Sequence, residues 1–438
     1  MKKTALEIVK KLKNAGHEVY WVGGCVRDIV MGKTPHDFDI VTSAKPDEVE
    51  KLFSKTVAVG KKFGVILVIK NKHQFEVATF RTEADYRDSR RPSQVSWATA
   101  EEDVKRRDFT VNALLYDPLS NKVIDWVDGQ KDIKNKILRF IGNPEKRIGE
   151  DHLRILRAVR FKNALGFKFD PETEKALRKN AKLVISVSAE RIRDELNKML
   201  KNPSRTKSIE DLSKLEILNH LLPELENGKG STQPNNFHAE GDVWIHTILS
   251  LKKIPAQAKL SVIWAVLLHD IGKPQTWKIR EHPKYGKRIT FYGHVKLSAQ
   301  MTEKIMKRLK FPRKFSEKVV FLVREHLRHK DIMQMKLAKQ IRWARHPWIH
   351  DLLAVWKADG QGSMPEDLTL YNYSLKLYQA ELKKPQPPIP LLNGNQIMKI
   401  LKIESGPEVG KIMEALMDAQ LEEKVKTKVE AEKFIKNI

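Results

Sequence analysis

The chain has 438 residues, and 81 Lys and Arg against 55 Asp and Glu leave a formal net charge of +26. A hydrophobic fraction of 41% is ample for packed cores and excludes general disorder, and no run approaches the roughly 18–20 apolar residues of a membrane span. The single cysteine, Cys25, excludes a disulfide scaffold, and the charge excess fits either a polyanionic partner or a Lys-rich solvated surface. Residues 1–16 begin like a signal peptide, but Glu7, Lys10 and Lys11 interrupt any apolar core. An intracellular, cytoplasmic protein is expected. Residues 1–140 alternate short β-rich runs (EVYWVGG, FDIVT, FGVILVI, QFEVATF, VNALLY) with helical patterns. From about residue 144 the pattern is almost wholly helical, with capped starts at Asp170 and Ser188. The polar stretch 226–236 reads as a linker, and the prolines of 383–390 break the helical pattern again. The expected class is α+β, with an α/β head over 1–140, a helical neck over 141–225, a histidine-rich helical body over 236–362 and a small helical tail over 390–438.

The head holds the densest chemistry, in VGGCVRDIVMGKTPHDFDIVT, residues 22–42. A strand ends at Gly23 and Gly24, two residues that let the backbone close around a triphosphate while the following amides face its charge. In Asp37-Phe38-Asp39, alternate strand positions place both carboxylates on one face, where they suit Mg²⁺ and two-metal phosphoryl transfer. Glu76, alone among apolar neighbours in QFEVATF, either completes that cluster or orients Arg81.

The glycine pair, the twelve-residue gap and DFDI resemble the polymerase β-type nucleotidyltransferase signature. The full run resembles the bacterial class II tRNA nucleotidyltransferases, a family shared with poly(A) polymerases. Further blocks follow in the family's order: ATFRTEADYRDSRRPSQVSWATAEEDVKRRDFTVNALL (78–115), DWVDG (125–129), EDHLRILRAVRF (150–161) and SAERIRDEL (188–196). The resemblance implies that Arg107, Asp108 and Asn112, with Arg27 and Asp28, hold ribose and triphosphate. It also implies that Thr82 to Ala98, which lack an apolar period and look mobile, help the site pass from CTP to ATP. In EDHLRILRAVRF a helix would bring Asp151 and Arg154 to one face, with Arg157 extending the stripe. An acceptor beside an Arg fork matches the amine-plus-acceptor edge of cytosine and adenine and opposes that of uracil and guanine. An ordinary surface ion pair is the plainer alternative.

Histidines gather in the body. His246, His269-Asp270, His294, His326 and Asp359, in this order on helical runs, resemble the HD phosphohydrolases, and such a set suits a divalent metal. His294 and His326 would complete a second metal position, and the site could activate water against phosphomonoesters or cyclic phosphates. His282, His329, His346 and His350 are expected at the surface, and the Leu, Ile and Met of the tail in its core. The combined expectation is an enzyme that adds CCA to tRNA from CTP and ATP with Mg²⁺ and carries an HD domain. A poly(A) polymerase, which would carry a long basic C-terminal extension, a specialist for CC or A, and a non-catalytic RNA-binding protein are the alternatives.

Overall fold

The computed structural model describes residues 1–86, 92–234, 239–283, 286–384 and 389–438. They divide into two compact units, Met1–Pro223 and Glu224–Ile438. Strands run β1 (Val19–Val22), β2 (Asp39–Thr42), β3 (Thr56–Gly60), β4 (Val65–Lys70), β5 (His73–Thr79), β6 (Arg81–Tyr86), β7 (Pro92–Trp97), β8 (Leu115–Asp117) and β9 (Lys122–Ile124). Seven of them form one sheet in the order β3-β4-β5-β2-β1-β8-β9. Central β2 is antiparallel to β1, with Val22 opposite Asp39, and parallel to β5, with Ile40 opposite Val77. Their β-branched and aromatic residues suit a pleated, half-buried surface. Val22, Val41 and Leu115 meet Phe80, Val104 and Ile141 in a core, while Trp21 packs against Phe38 and Tyr116. The sheet is thus anchored where its polar ends emerge.

Two local expectations change in this unit. Strand β2 begins at Asp39, so Asp37 lies in the approach to the strand rather than within it. The stretch expected to be aperiodic instead pairs as the hairpin β6–β7, with Arg81 opposite Trp97 and Thr82 opposite Ser96. Its polar alternation carries no apolar period to reveal a strand. Residues 87–91 of that stretch lie outside the described residues.

Helices dominate from residue 144, apart from a short parallel pairing of Ile137–Leu138 with Lys168–Phe169. The helix Pro144–Glu150 stops at Asp151, and Arg154–Leu165 starts anew. Residues 150–161 are therefore a helix–break–helix rather than one helix. Arg154–Leu165 buries Ile155, Leu156 and Val159 and packs on Ala189–Lys201 and Arg205–Lys214. Asp170 caps its helix through the Thr173 amide, whereas Ser188 holds the cap position without a side-chain bond.

Among the described residues the second unit is mainly helical, with a hairpin of Lys278–His282 and Gly286–Thr290 that the helical reading missed. The polar stretch expected as a linker is partly built in: Thr232 bridges Asp242, and Gln233 is buried. Residues 235 and 236 of that stretch, and 385–388 of the proline run, lie outside the described residues. The tail helices Gly394–Leu401, Pro407–Leu421 and Lys428–Lys436 close around Leu392, Ile397, Leu416 and Ile435, so its apolar positions form a core as expected. Among the described residues, no helix is long and apolar enough to cross a membrane.

Candidate functional site

At the end of β1 the chain turns through Gly23, whose φ of +77° favours glycine, and enters the helix Gly24–Val30 directly. That turn brings Gly23 and Gly24 beside the start of β2. A cleft of about 500 Å³ opens there, and its walls carry Asp37 and Asp39 together with Arg27, Asp28, Arg107, Asp108, Asn112, Asp151, Arg154 and Arg157. Glu76 is not in the wall. It sits exposed on β5 beside Asp39 in register. Arg81, its other expected partner, directs a guanidinium N–H to the Phe63 carbonyl. Arg106 and Phe161 also line the cleft and were not foreseen. Both lie inside the quoted blocks, Arg106 one residue before Arg107 and Phe161 at the end of EDHLRILRAVRF.

Of the two metal-type acids, Asp39 is under electrostatic pressure. Burial, then Glu76, then Asp37 push the Asp39 carboxyl up to about 6. Ionised acids held this close without a cation repel one another, so the donor set fits a hard divalent ion.

Every arginine of the cleft is braced by a carboxylate. Arg27 donates to Asp28 Oδ1 at 2.8 Å and to Asn112 Oδ1 at 2.7 Å. Arg106 and Arg107 share the buried Asp103, one on each oxygen. Arg157 forks onto Asp108 Oδ2 at 2.8 and 2.6 Å. Burial would raise the Asp108 pKa, but Arg157 and then Arg154 hold it below the usual carboxylate range. Phe161 lies against three cations, with the Arg160, Arg157 and Arg27 guanidinium carbons 4.0, 5.2 and 5.9 Å from its ring centre. Since Arg offers five N–H donors, Arg27, Arg107 and Arg157 keep donors for a polyphosphate or a base.

The pair expected to read the base differs from expectation in one respect. The side chains of Asp151 and Arg154 do not pair with each other, although the Arg154 amide donates to the Asp151 carbonyl at 2.9 Å across the helix break. Arg154 bonds Glu150 Oε2 at 2.5 Å and the Arg147 carbonyl at 2.7 Å. Asp151 accepts a two-pronged bond from Arg191, 3.1 Å to Oδ1 and 2.8 Å to Oδ2, while Oδ1 also accepts the Leu153 amide. A carboxylate offers about four acceptor sites, so roughly one remains for a ligand. The simple surface ion pair is thereby replaced by two side chains fixed separately on one cleft wall. His152, between them, is not in the wall and bonds Ser186.

In the second unit His246, His269, Asp270, His294 and His326 are buried and converge with the part-buried Asp359. Two ligand groups form, His246–His269–Asp270 and Asp270–His294–His326, sharing Asp270. Asp359 Oδ1 lies 3.0 Å from His246 Nε2 and 3.5 Å from His269 Nε2. His269, His294 and His326 each donate Nδ1–H to a carbonyl at 2.7 Å, from Val266, Phe291 and Val323 respectively. That tautomer leaves Nε2 as the donor atom, and Nε2 of His294 and His326 and Oδ1 of Asp270 make no hydrogen bond. Burial disfavours charge on His269, yet Asp270 and then Asp359 push it up to about 10. On His294 burial wins, and its pKa falls to about 4. Buried carboxylates that recruit a proton, beside nitrogen lone pairs with no partner, fit a cation.

A cavity of about 690 Å³ adjoins these groups and carries Lys273, Arg288 and Lys330. His329 lines it too, half-buried and with a pKa lowered to about 4 by burial, so it is not the surface residue expected. His346 is likewise half-buried, stacked on Phe321 at 4.4 Å. His350 is exposed as expected, and the side chain of His282 lies outside the described residues. Lys273 in HDIGKP touches Asp270 Oδ2 at 2.7 Å and donates to Gln233.

Three family descriptions match in chain order. The poly A polymerase head domain covers residues 19–139, the probable RNA and SrmB-binding site of polymerase A covers 166–229, and the HD domain covers 245–366. The chain thus carries a poly A polymerase head domain, a polymerase A-type RNA-binding segment and an HD domain, and it is similar to CCA-adding enzymes. It is 42% identical over 271 residues to a CCA-adding enzyme of Bacillus subtilis (strain 168), covering 61% of this chain and 64% of that one. It is 48% identical over 206 residues to a CCA-adding enzyme of Ligilactobacillus salivarius, covering 46% and 51%. The matches thus span about half to just under two thirds of these curated relatives. Among solved structures, the Bacillus stearothermophilus CCA-adding enzyme in complex with CTP superposes with a TM-score of 0.74 at 25% identity, covering 99% of this chain and 96% of that one. The Thermotoga maritima CCA-adding enzyme complexed with tRNA shares the fold, with a TM-score of 0.61 at 19% identity over 99% and 94% of the two chains.

Proposed function

We propose that the chain is a cytoplasmic nucleotidyltransferase that adds CCA to the 3′ end of tRNA, taking CTP and ATP in turn without a nucleic-acid template. One observation carries this reading: metal-type acids Asp37 and Asp39 share a single cleft with the base-edge pair Asp151 and Arg154. The names of its relatives support the same choice. Four blocks divide the work: a catalytic head over 1–140, a reading neck over 141–225, an HD body over 236–362 and a tail over 390–438.

Asp37 and Asp39 would hold Mg²⁺, with Glu76 acting on Asp39 from the neighbouring strand. When bound, Mg²⁺ supplies positive charge at the α-phosphate under attack by the RNA 3′-hydroxyl, with pyrophosphate leaving. Gly23 and Gly24 let the backbone approach the triphosphate. Arg27, Asp28, Arg107, Asp108 and Asn112 hold its phosphates and ribose. Asp151 accepts the exocyclic amine of cytosine or adenine, Arg154 donates to the adjacent ring nitrogen, and Arg157 supports them through Asp108. Uracil and guanine would set carbonyl oxygen against carboxylate and N–H against guanidinium. In the second unit the His–Asp cluster would hold a divalent metal and serve hydrolysis of phosphomonoesters or cyclic phosphates, supported by the cations of its cavity.

The test is to incubate the protein with tRNA lacking its 3′ end and each nucleotide in turn, then sequence the products. Ordered C, C, A followed by arrest is the expected outcome. Long A tracts on unrelated RNA would instead make it a poly(A) polymerase, and no incorporation would overturn the reading.

A further inference from the structure

Four imidazoles surround the HD cluster, and they are not held alike. His269, His294 and His326 each turn Nδ1 to the carbonyl of the residue three positions earlier, so local backbone geometry alone sets their rings. His246 does not do this: the carbonyl three positions earlier, that of Val243, accepts the Thr247 hydroxyl at 2.8 Å. Its Nδ1 faces Glu240 Oε1 at 2.9 Å instead. Both side chains are fully buried. The other carboxylate oxygen, Glu240 Oε2, accepts the Met364 amide at 2.8 Å, and the Ala239 amide donates to the Met364 carbonyl. Met364 lies two residues beyond the helix Ile349–Gly362, which bears Asp359. Glu240 therefore straps the end of the Asp359 helix to the ring of His246, and these two side chains face each other at 3.0 Å.

The asymmetry falls on one metal position only. His246 belongs to the group with His269 and Asp270, next to Asp359, and not to the group with His294 and His326. An ionised partner behind a ligating imidazole fixes its orientation and increases the basicity of the donor nitrogen more than a carbonyl does, and losing such a partner typically costs about 10–100-fold in metal affinity. Resting on the reading of the HD cluster as a metal site, we propose that Glu240 is a positioning residue that makes the two metal positions unequal, so that the His246–His269–Asp359 position fills first and the His294–His326 position second. Nothing in the spacing of the HD residues singles out Glu240, which precedes His246 by six positions.

Stripped of metal and titrated with Co²⁺, whose visible spectrum reports its ligands, the full chain should show a tight and a weak class of site. Glu240→Ala should weaken the tight class about 10–100-fold and leave the weak class in place. Glu240→Gln, which keeps the hydrogen bond without the charge, should fall between, and it carries the test if the alanine variant does not fold. His294→Ala should remove the weak class and spare the tight one. Loss of both classes equally in a folded Glu240 variant, or no change in either, overturns the proposal. Failure of the unmodified chain to bind Co²⁺ would overturn the metal reading itself, and is distinguished by occurring before any substitution.

Discussion

Asp39 sits part-buried beside Glu76 and Asp37, and its carboxyl is pushed from 3.8 up to about 6. Between those values the folded chain keeps a proton that the unfolded chain has released, so stability falls as pH rises through that window. Below about pH 4 both states are protonated and the residue costs nothing. Above pH 6 its full cost is present. Asp39→Asn should therefore raise the denaturant midpoint at pH 7–8 in metal-free buffer and leave it unchanged at pH 4, while abolishing nucleotide addition. Equal stabilisation at both pH values would contradict the assigned shift. At Asp151 the question is selectivity. An unpaired polar group in a closed site costs roughly 1–3 kcal/mol, a factor of about 5–150. Asp151→Ala should raise UTP incorporation relative to CTP by a ratio in that range. Arg191→Lys keeps the charge but loses the planar fork, so it should shift the ratio in the same direction by less. Measuring all four nucleotides with both variants decides it, and an unchanged CTP:UTP ratio would retire the base-reading role.

Among elements, close approach matters most where the helix Val243–Lys253 meets the helix Ile349–Gly362. A Cβ on Gly362 would lie 2.8 Å from the Ser250 amide nitrogen and closer still to its hydroxyl. Gly362→Ala must separate helices that carry His246 and Asp359, at a cost of about 1–3 kcal/mol for overpacking. Thermal melting should show the loss in stability, and metal titration the loss of the position these helices share; normal values for both would refute the account. Much of this was readable from local pattern. The glycine pair, DFDI and RRDFTVNA fell on one cleft because each is a short block at the end of a strand or turn. The HD residues converged because each sits on or beside a helix of the body. Long-range pairing was not readable. Arg191 reaches Asp151 across forty residues, and the break after Glu150 hides in a run whose residues all tolerate a helix. The hairpin from Lys278 to Thr290 is polar on both strands, so periodicity could not separate it from its helical surroundings.

For the whole molecule, the proposed nucleotide cleft and the HD cluster lie in different compact units. A double variant, His269→Ala with Asp270→Ala, should remove metal-dependent phosphatase activity without changing C and A addition; parallel loss of both activities in a folded variant would argue against separate sites. The excess of 26 positive charges predicts that RNA affinity falls steeply with salt, because each phosphate contact releases counterions. The Arg191–Asp151 fork, with side chains only 24% and 19% exposed, is screened by salt less than those phosphate contacts. A nucleic-acid template can dissociate and be replaced, but a template built from side chains is only as faithful as the fold that orients it. On the proposed reading, mild heat or denaturant that loosens this fork without disturbing Asp37 and Asp39 would leave a protein that still polymerises and makes errors. Mistakes at the tRNA end would then be an earlier sign of a failing fold than lost activity.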